Sequence, residues 1–145
     1  MLALVQRVLE AGVSIDGVKR SSIGPGLLVF VCATPEDTDE KIGKMVKKIL
    51  KLRIFPDDEG RMNRSILDTQ GEVLVVSQFT LAADTRSGNR PGFSGAANPE
   101  LGRYVYERFL ELMRLEGVIP QTGEFGADMK VNLINDGPAT FWLSL

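Results

Sequence analysis

EVLVVSQF, residues 72–79, is the clearest central β-strand of the sequence, and the polar residues Ser77 and Gln78 lie near its end. Its apolar core is continuous, which is typical of a strand in the interior of a sheet. A second strand that is predicted to be buried on both faces, Leu27 to Cys32, follows the turn Gly24-Pro25-Gly26. Two amphipathic helices accompany these strands, and the combination indicates an α/β fold.

The first helix is predicted over residues 35–51. Thr34 can accept hydrogen bonds from the amides of the first turn, and Pro35 suits the first helical position. The side that faces the core is predicted to consist of Ile42, Met45, Val46, Ile49 and Leu50, with lysines on the opposite side.

The second helix is predicted to begin with Asn98 as its N-cap and Pro99 at the first helical position. Gly117 ends it, as glycine commonly does after the last helical residue. Its apolar face is predicted to consist of Leu101, Tyr104, Val105, Phe109 and Leu112.

Shorter patterns predict the other strands, which are Leu2–Val8, Val13–Ile15 joined to Val18 by an Asp16-Gly17 hairpin turn, Arg53–Phe55, two short strands within Thr122–Asn135, and Ala139–Leu145. Asn135-Asp136-Gly137-Pro138 is interpreted as a tight turn between the last two strands. Residues 83–97 are rich in Gly and Ser and are predicted to form a loop. Because the sequence contains no repeat, linker or low-complexity segment, residues 1–145 are expected to form a single α/β domain.

The composition is typical of a globular protein, with 43% hydrophobic and 25% charged residues among 145. The longest apolar runs are too short to cross a bilayer, so no membrane association is expected. The N-terminus has neither a basic region nor a small-residue cleavage site, which argues against a secretory signal. The one cysteine, Cys32, lies in an apolar run and is expected to be a buried, reduced thiol of a cytoplasmic protein.

The charge balance leaves nucleic-acid binding open. A net charge of −2 is not the basic excess of a strong nucleic-acid binder. The distribution is uneven, however, because six basic residues fall between positions 41 and 53: Lys41, Lys44, Lys47, Lys48, Lys51 and Arg53. This cluster is either a local face for a phosphate backbone or a solvated helix face, and charge alone favours the solvated face.

The sequence contains no histidine. This absence excludes the Ser-His-Asp triad, Cys-His pairs and most zinc sites, because imidazole is the usual base and the commonest metal ligand near neutral pH. Any chemistry must therefore use carboxylates, hydroxyls, lysines, backbone groups or the substrate itself.

Three segments are candidates for a site, and each has a purely structural alternative. Ser77-Gln78-Phe79-Thr80 places hydroxyls and an amide at the end of a buried strand, but such residues also terminate strands. Asn135–Pro138 is either a functional backbone feature or a simple turn. The loop 83–97 carries Arg86 and Arg90, which suit an anion contact or a mobile surface loop equally.

The sequence resembles the D-aminoacyl-tRNA deacylase family. SQFTLAAD at 77–84 is similar to the SQFTL motif of that family, and NDGPAT at 135–140 is similar to its Gly-cisPro motif. Further similar segments lie around them in the right order: VQRV at 5–8, AGVSIDG at 11–17, LRIF at 52–55, RMNRS at 61–65, GNRPGF at 88–93 and TGEFGADM at 122–129. The resemblance runs from Met1 to Leu145 and departs from the family at Ala139, where valine is typical, and at Gly92, where serine is common.

The resemblance implies a fold with mixed β-sheets in a barrel-like, layered arrangement and two main helices packed on it. It also implies a homodimer that hydrolyses the ester of D-aminoacyl-tRNA, and of glycyl-tRNA, without a metal or organic cofactor. Each active site would combine the SQFTL segment of one subunit with Gly137-Pro138 of the other. A cis bond there would direct two carbonyl oxygens to the substrate ammonium and fill the space that an L side chain needs.

The resemblance further implies roles for individual residues. Catalysis is expected from the segment that comprises Ser77, Gln78, Phe79 and Thr80, with amides near Phe79 and Thr80 stabilising the oxyanion. The 2′-hydroxyl of the terminal adenosine is expected to assist the attack, and Thr80 is a candidate nucleophile. Arg7 would brace the Gly-Pro segment, and Phe125 and Met129 would line the adenosine end of the pocket.

Three other functions are compatible with parts of the sequence. A general hydrolase of small esters would use the same oxyanion geometry and would act without RNA. A non-catalytic RNA-binding module would rest on the lysine-rich helix and would show salt-sensitive binding without turnover. A purely structural protein is the third alternative, and it leaves both motifs unexplained.

Overall fold

The computed structural model describes residues 1–145 and contains eight strands and three α-helices. The strands are β1 (Leu2–Ile15), β2 (Val18–Ile23), β3 (Gly26–Cys32), β4 (Phe55–Pro56), β5 (Met62–Arg64), β6 (Glu72–Ser77), β7 (Gln121–Thr122) and β8 (Met129–Ser144). The α-helices are α1 (Asp39–Lys51), α2 (Ile66–Thr69) and α3 (Pro99–Leu115), and a short 3₁₀ helix spans Phe79–Ala82.

Strand β1 organises the main sheet because its two edges carry three other strands. One edge pairs antiparallel with β8 along nearly the whole length of β1. The other edge pairs antiparallel with β3 in its first half and with β2 in its second half. The sheet then continues through parallel β6 and parallel β7, whereas β4 and β5 form a separate small hairpin. The result is the mixed, barrel-like sheet that the resemblance implies.

Local chemistry explains the two tight features of this sheet. Asp16 and Gly17 both have positive φ angles, 51° and 75°, as the predicted hairpin turn requires. At the start of β3, a Cβ on Gly26 would lie 1.8 Å from the backbone oxygen of Glu72, so only glycine permits this approach of β6. The parallel pair β3–β6 therefore begins at a residue that has no side chain.

Both faces of the sheet are buried, as the apolar runs predict. On one face, α1 and α3 cover a cluster of 20 buried residues, with Phe109 and Met45 fully inaccessible. On the other face, the curled sheet encloses a second cluster of seven residues that includes Leu28, Leu74 and Val76. The predicted core residues of α1 are all buried. None of the helices is both long and apolar enough to span a membrane.

The predicted tight turn at residues 135–138 is wrong, because β8 does not reverse direction there. Both halves of β8 pair with β1, through Val8–Asn135 and through Gln6–Thr140. Between these pairs, the four residues 136–139 stand opposite the single residue Arg7. The segment is therefore a large bulge within one strand, here called the 136–139 bulge, and pairing with β1 on both sides prevents a hairpin.

The predicted start of the first helix is also wrong. Helix α1 begins at Asp39, and Thr38 rather than Thr34 caps it by accepting from the Lys41 amide. Thr34 is engaged elsewhere, because its hydroxyl and amide both donate to the Asp37 carboxylate, at 3.0 and 2.9 Å. That carboxylate lies 2.7 Å from the amine of Met1, and neither partner is exposed.

Three smaller predictions need correction. Tyr104 is half exposed, and α3 instead buries Val105, Tyr106, Phe109, Leu110 and Met113. The short strand after α1 covers Phe55–Pro56 rather than Arg53–Phe55. Strand β6 ends at Ser77, because residues 79–82 turn into the 3₁₀ helix. The Asn98 cap and Pro99 start of α3 are confirmed.

Candidate active site

A cavity of about 650 Å³ opens at the carboxyl ends of β3 and β6. The strand ends contribute Val31, Cys32 and Ser77, and the first turns of α3 close one side. The segment 125–129 between β7 and β8 forms a further wall. The ends of adjacent parallel strands are where α/β folds commonly place their sites, since the chain diverges there and leaves a crevice.

The SQFTL segment leaves the sheet at this cavity. The amide of Gln78 still bonds to the carbonyl of Val31, at 2.8 Å, and the chain then turns into the 3₁₀ helix. The side-chain amide of Gln78 donates to the hydroxyl of Thr80. Ser77, Gln78 and Phe79 line the cavity, whereas Thr80 is exposed and is not among the lining residues.

Two backbone amides stand at this point, those of Phe79 and Thr80, and neither donates to a side chain or to a turn or loop carbonyl. They are the first two amides of the 3₁₀ helix, whose initial N–H groups have no carbonyl within the helix. Adjacent amides of this kind can bind the negative oxygen of a tetrahedral intermediate.

Phe125 and Met129 lie in the cavity wall, where the resemblance places them. The guanidinium of Arg103 lies 4.7 Å from the centroid of the Phe125 ring, which is a cation–π distance. A Cβ on Gly102 would lie 3.4 Å from this ring, so the glycine lets Phe125 rest directly on α3. Met129 is held by the Glu124 amide, which donates to its sulfur at 3.5 Å.

Two aromatic residues of the site were not identified from the sequence. Phe93 packs edge-on against Phe79, with 5.1 Å between ring centroids, at the exposed side of the cavity. Tyr106 lines the interior and donates to the Val75 carbonyl at 2.9 Å. Burial raises the pKa of Tyr106 to about 12, so this phenol keeps its proton near neutral pH. Phe93 lies in the GNRPGF segment, whose similarity to the family could have identified it as a site residue. Tyr106 lies on the apolar side of α3, and nothing in the sequence distinguishes it there from a core residue.

The lining of the cavity does not include Gly137, Pro138 or Arg7. The 136–139 bulge therefore does not contribute to the cavity of its own chain. The Gly137-Pro138 peptide bond is cis. Both residues are exposed. The single chain thus brings Ser77, Gln78, Phe79, Phe125 and Met129 together and leaves Arg7, Gly137 and Pro138 on another surface.

Arg7 and Asn135 hold the bulge in place. The Arg7 side chain, only 12% exposed, donates from Nε to the Asp136 carbonyl at 3.0 Å and from Nη1 to the Ile54 carbonyl at 2.5 Å. Asn135 donates to the carbonyls of Arg7 and Ala139, at 3.2 and 3.1 Å. A Cβ on Gly137 would lie 2.1 Å from the Asn135 Oδ1, so this position requires glycine unless Asn135 moves.

Ionisable groups around the cavity offer little acid–base chemistry. Asp128 at the rim is bonded to Lys130 at 2.7 Å. Burial raises the pKa of the Cys32 thiol, which disfavours the reactive thiolate. In the loop 83–97, Arg86 binds both carboxylate oxygens of Asp84 and thereby lowers the pKa of that carboxyl, so its guanidinium is already engaged. No group of three or more potential metal ligands is present.

Comparisons with known proteins identify similar chains. A family model described as D-Tyr-tRNA(Tyr) deacylase matches residues 4–144. The D-aminoacyl-tRNA deacylase of Ruegeria sp. (strain TM1040) is 60% identical over 143 residues, which cover 99% of this chain and 92% of that protein. The D-aminoacyl-tRNA deacylase of Ruegeria pomeroyi is 57% identical over 145 residues, with 100% of both chains covered.

Two solved structures are similar in fold. One is named c-Myc DNA Unwinding Element Binding Protein, with a TM-score of 0.94, 41% identity, and coverage of 100% of this chain and 99% of that one. The other is named as a probable eukaryotic D-amino acid tRNA deacylase, with a TM-score of 0.81, 19% identity, and coverage of 99% and 98%. At that identity, the second likeness concerns the fold alone.

We expect Arg7→Met to loosen the 136–139 bulge, because it removes charged donors from the carbonyls of Ile54 and Asp136 while retaining most of the side-chain volume. The free energy of unfolding should fall by about 2 kcal/mol, as measured by urea denaturation. Amide hydrogen exchange of Asn135, Asp136, Gly137 and Ala139 should accelerate.

Arg20→Met is the matched control, since Arg20 is exposed and forms no ion pair. It should change stability by no more than about 0.5 kcal/mol. Unchanged exchange of residues 135–139 in Arg7→Met would show that Arg7 does not hold the bulge.

Proposed function

The chain belongs to the D-Tyr-tRNA(Tyr) deacylase family, and from this premise we propose that it hydrolyses the ester bond between a D-amino acid and tRNA, with free amino acid and tRNA as products. The enzyme is a hydrolase of carboxylic esters that acts in translation quality control in the cytoplasm. Its partners are aminoacyl-tRNA and a second copy of the chain.

The observation that carries this proposal is the pair of amides of Phe79 and Thr80, which open the 3₁₀ helix beside the cavity. A water oxygen attacks the ester carbonyl carbon, and the carbonyl oxygen becomes the oxyanion that these two amides bind. The bond from that carbon to the 3′ oxygen of the terminal adenosine then breaks. The proton released by the water passes to the departing 3′ oxygen, and the neighbouring 2′-hydroxyl of the RNA assists this transfer.

The neighbouring side chains position these groups. Gln78 donates to the Thr80 hydroxyl, which fixes that oxygen and leaves its proton free to donate to the reacting ester. Ser77 ends β6 at the cavity wall. Thr80 acts as a donor rather than as a nucleophile, because a hydroxyl nucleophile needs an adjacent base and the sequence contains no histidine.

The terminal adenosine occupies the other wall of the cavity. The Phe125 ring rests on Gly102, and the guanidinium of Arg103 lies over one of its faces. Met129 supplies an adaptable apolar contact, as thioethers commonly do. An aromatic ring and a thioether suit the flat base of an adenosine, because every base has a face that can pack on an aromatic side chain.

Gly137-Pro138 of the partner subunit completes each active site. The support for this arrangement is that the bulge is exposed, is braced by Arg7, and does not reach the cavity of its own chain. Strand β8 has only β1 as a neighbour, and Ile134 and Trp142 on either side of the bulge are about half exposed. An unpaired edge strand with exposed apolar side chains is a surface that a second copy can cover.

Chirality is selected by exclusion. The carbonyl oxygens of Gly137 and Pro138 bind the substrate ammonium, and the rigid bulge fills the space on the side of an L side chain. A D side chain projects the other way and is accepted. Glycine has no side chain to exclude, so glycyl-tRNA is also hydrolysed.

Purified protein should hydrolyse D-Tyr-tRNA and Gly-tRNA rapidly and spare L-Tyr-tRNA, with a chelator present throughout. Survival of all three esters together with tRNA binding would favour the RNA-binding module. Equal hydrolysis of the D and L esters would contradict the role of Gly137-Pro138. Rapid hydrolysis of simple amino-acid esters without RNA would favour the general esterase.

Thr80→Ala should slow the hydrolysis of D-Tyr-tRNA by about 10²–10³-fold, because one donor that is held in place for the transition state is lost. Single-turnover kinetics would measure the chemical step. Thr80→Ser keeps the hydroxyl and should retain most of the rate. Complete loss of activity in Thr80→Ala, with a trapped acyl-Thr80 adduct in the parent protein, would instead identify a nucleophile.

Gly137→Ala should displace Asn135 and distort the bulge, since its Cβ would lie 2.1 Å from the Asn135 Oδ1. We expect hydrolysis of D-Tyr-tRNA to fall by about 10²-fold, and the ratio of D to L hydrolysis to fall with it, because the ammonium contacts and the exclusion both depend on this backbone. The control is Gly43→Ala, since a Cβ at Gly43 in α1 meets nothing closer than 3.9 Å. Wild-type D/L selectivity in Gly137→Ala would refute selection by the bulge.

A further inference from the structure

Four lysines form a stripe along α1. Lys41, Lys44, Lys48 and Lys51 are spaced by three, four and three residues, which places them on one face of the helix. The stripe is about 15 Å long, given the rise of an α-helix. The opposite face of α1 is fully buried, so the lysine stripe points away from the core.

Most of this charge is uncompensated. Lys44 pairs with Glu40 at 3.0 Å, but Lys41, Lys48 and Lys51 have no carboxylate within ion-pair distance. Arg53, which follows the helix, bonds to the carbonyl and side chain of Asn63 rather than to an acid. Like charges three and four residues apart repel one another along a helix. A polyanion bound to the stripe would remove this repulsion.

The segment that follows the stripe is hydrogen-bonded to Arg7, which also holds the 136–139 bulge. Ile54 lies three residues after Lys51, and its carbonyl accepts from Arg7 at 2.5 Å. The same guanidinium donates to the carbonyl of Asp136 at 3.0 Å. One largely buried side chain therefore links the bulge to the segment that directly follows α1, and this restricts where the lysine stripe can lie relative to Gly137-Pro138.

We propose that the lysine stripe of one subunit binds the phosphates of the tRNA whose 3′ end occupies the cavity of the partner subunit. This inference rests on the proposed function, in which the bulge enters the cavity of the partner. Because Arg7 links the bulge to the segment after α1, we place the stripe near the mouth of that cavity, where the RNA chain emerges. The phosphate backbone that leaves the cavity supplies the complementary charge, whereas an acidic protein partner has no such reason to be there.

The double variant Lys48→Ala/Lys51→Ala tests the inference directly. Its KM for D-Tyr-tRNA should rise about tenfold with kcat unchanged, because phosphate contacts position the RNA and do not act in the chemical step. A plot of the logarithm of the tRNA association constant against the logarithm of the salt concentration should have a slope that is smaller in magnitude by about 1.5–2, because two phosphate contacts are lost. Hydrolysis of D-tyrosyl-adenosine, which lacks the RNA chain, should be unaffected.

Lys19→Ala/Arg20→Ala is the matched control. These two adjacent residues of β2 are exposed, carry the same charge and form no ion pair. The control should leave the KM and the salt slope at wild-type values. An equal effect of both double variants would show only a general loss of positive charge and would overturn the inference.

Mixed dimers test whether the stripe acts across the subunit interface. In one dimer, Thr80→Ala and Lys48→Ala/Lys51→Ala lie in the same subunit, so the one active cavity belongs to the wild-type subunit but faces the altered stripe. Its KM should be raised. In the other dimer the changes lie in different subunits, the active cavity faces an intact stripe, and its KM should equal that of wild type. The reverse pattern would overturn the assignment across the interface.

The possible failures can be told apart. If wild-type protein does not hydrolyse D-Tyr-tRNA, the proposed function fails, and the salt dependence of tRNA binding still decides the role of the stripe. If the wild type is active and Lys48→Ala/Lys51→Ala has an unchanged KM and salt slope, only the stripe inference fails. Retained tRNA affinity together with lost binding of an acidic protein would assign the stripe to a protein partner instead.

Discussion

The pairing of both edges of β1 is the constraint on which the other features depend. A buried strand must satisfy its backbone donors and acceptors on both sides, and β1 does so with β8 on one edge and with β2 and β3 on the other. Opposite Arg7 this register is interrupted by the 136–139 bulge. Arg7 donates to the carbonyl of Asp136 in the bulge and also to the carbonyl of Ile54. One side chain thereby couples the sheet, the bulge and the segment after α1.

The candidate site follows from the way in which the chain leaves the sheet. Strand β6 lies parallel to β3 up to Ser77, and one further bond from Gln78 to Val31 keeps the departing chain in place. The tight 3₁₀ turn that follows exposes the amides of Phe79 and Thr80 beside the cavity. Main-chain donors of this kind are fixed by the fold and need no reorganisation during a reaction. A chain without histidine can therefore still hold an oxyanion.

Features set by neighbours in the chain were predictable, and features set by distant contacts were not. The Asn98 cap, the Asp16-Gly17 turn and the two buried strands depend on local chemistry, and each was confirmed except for the end of the strand 72–79, which stops at Ser77. Thr34 had the chemistry of a cap but bonds to Asp37, which also faces the amine of Met1. The continuity of β8 depends on β1, more than a hundred residues away. The end of a buried strand and the motif resemblance both predicted a site at residues 77–80, whereas the packing of Phe93 on Phe79 required the fold.

In the proposed arrangement, hydrolysis and selection are divided between two subunits. The amides that bind the oxyanion belong to one chain, and the bulge that excludes an L side chain belongs to the other. An isolated chain would retain its cavity, since the lining residues all come from one subunit, but it would lack the element that rejects the abundant L substrate. Rejection of L-aminoacyl-tRNA, which is abundant in the cell, would then require the two subunits to form a dimer. Arg7 and Asn135 hold the bulge in a fixed position. This rigidity suits the division of roles, because a surface excludes the L side chain only if it does not move aside.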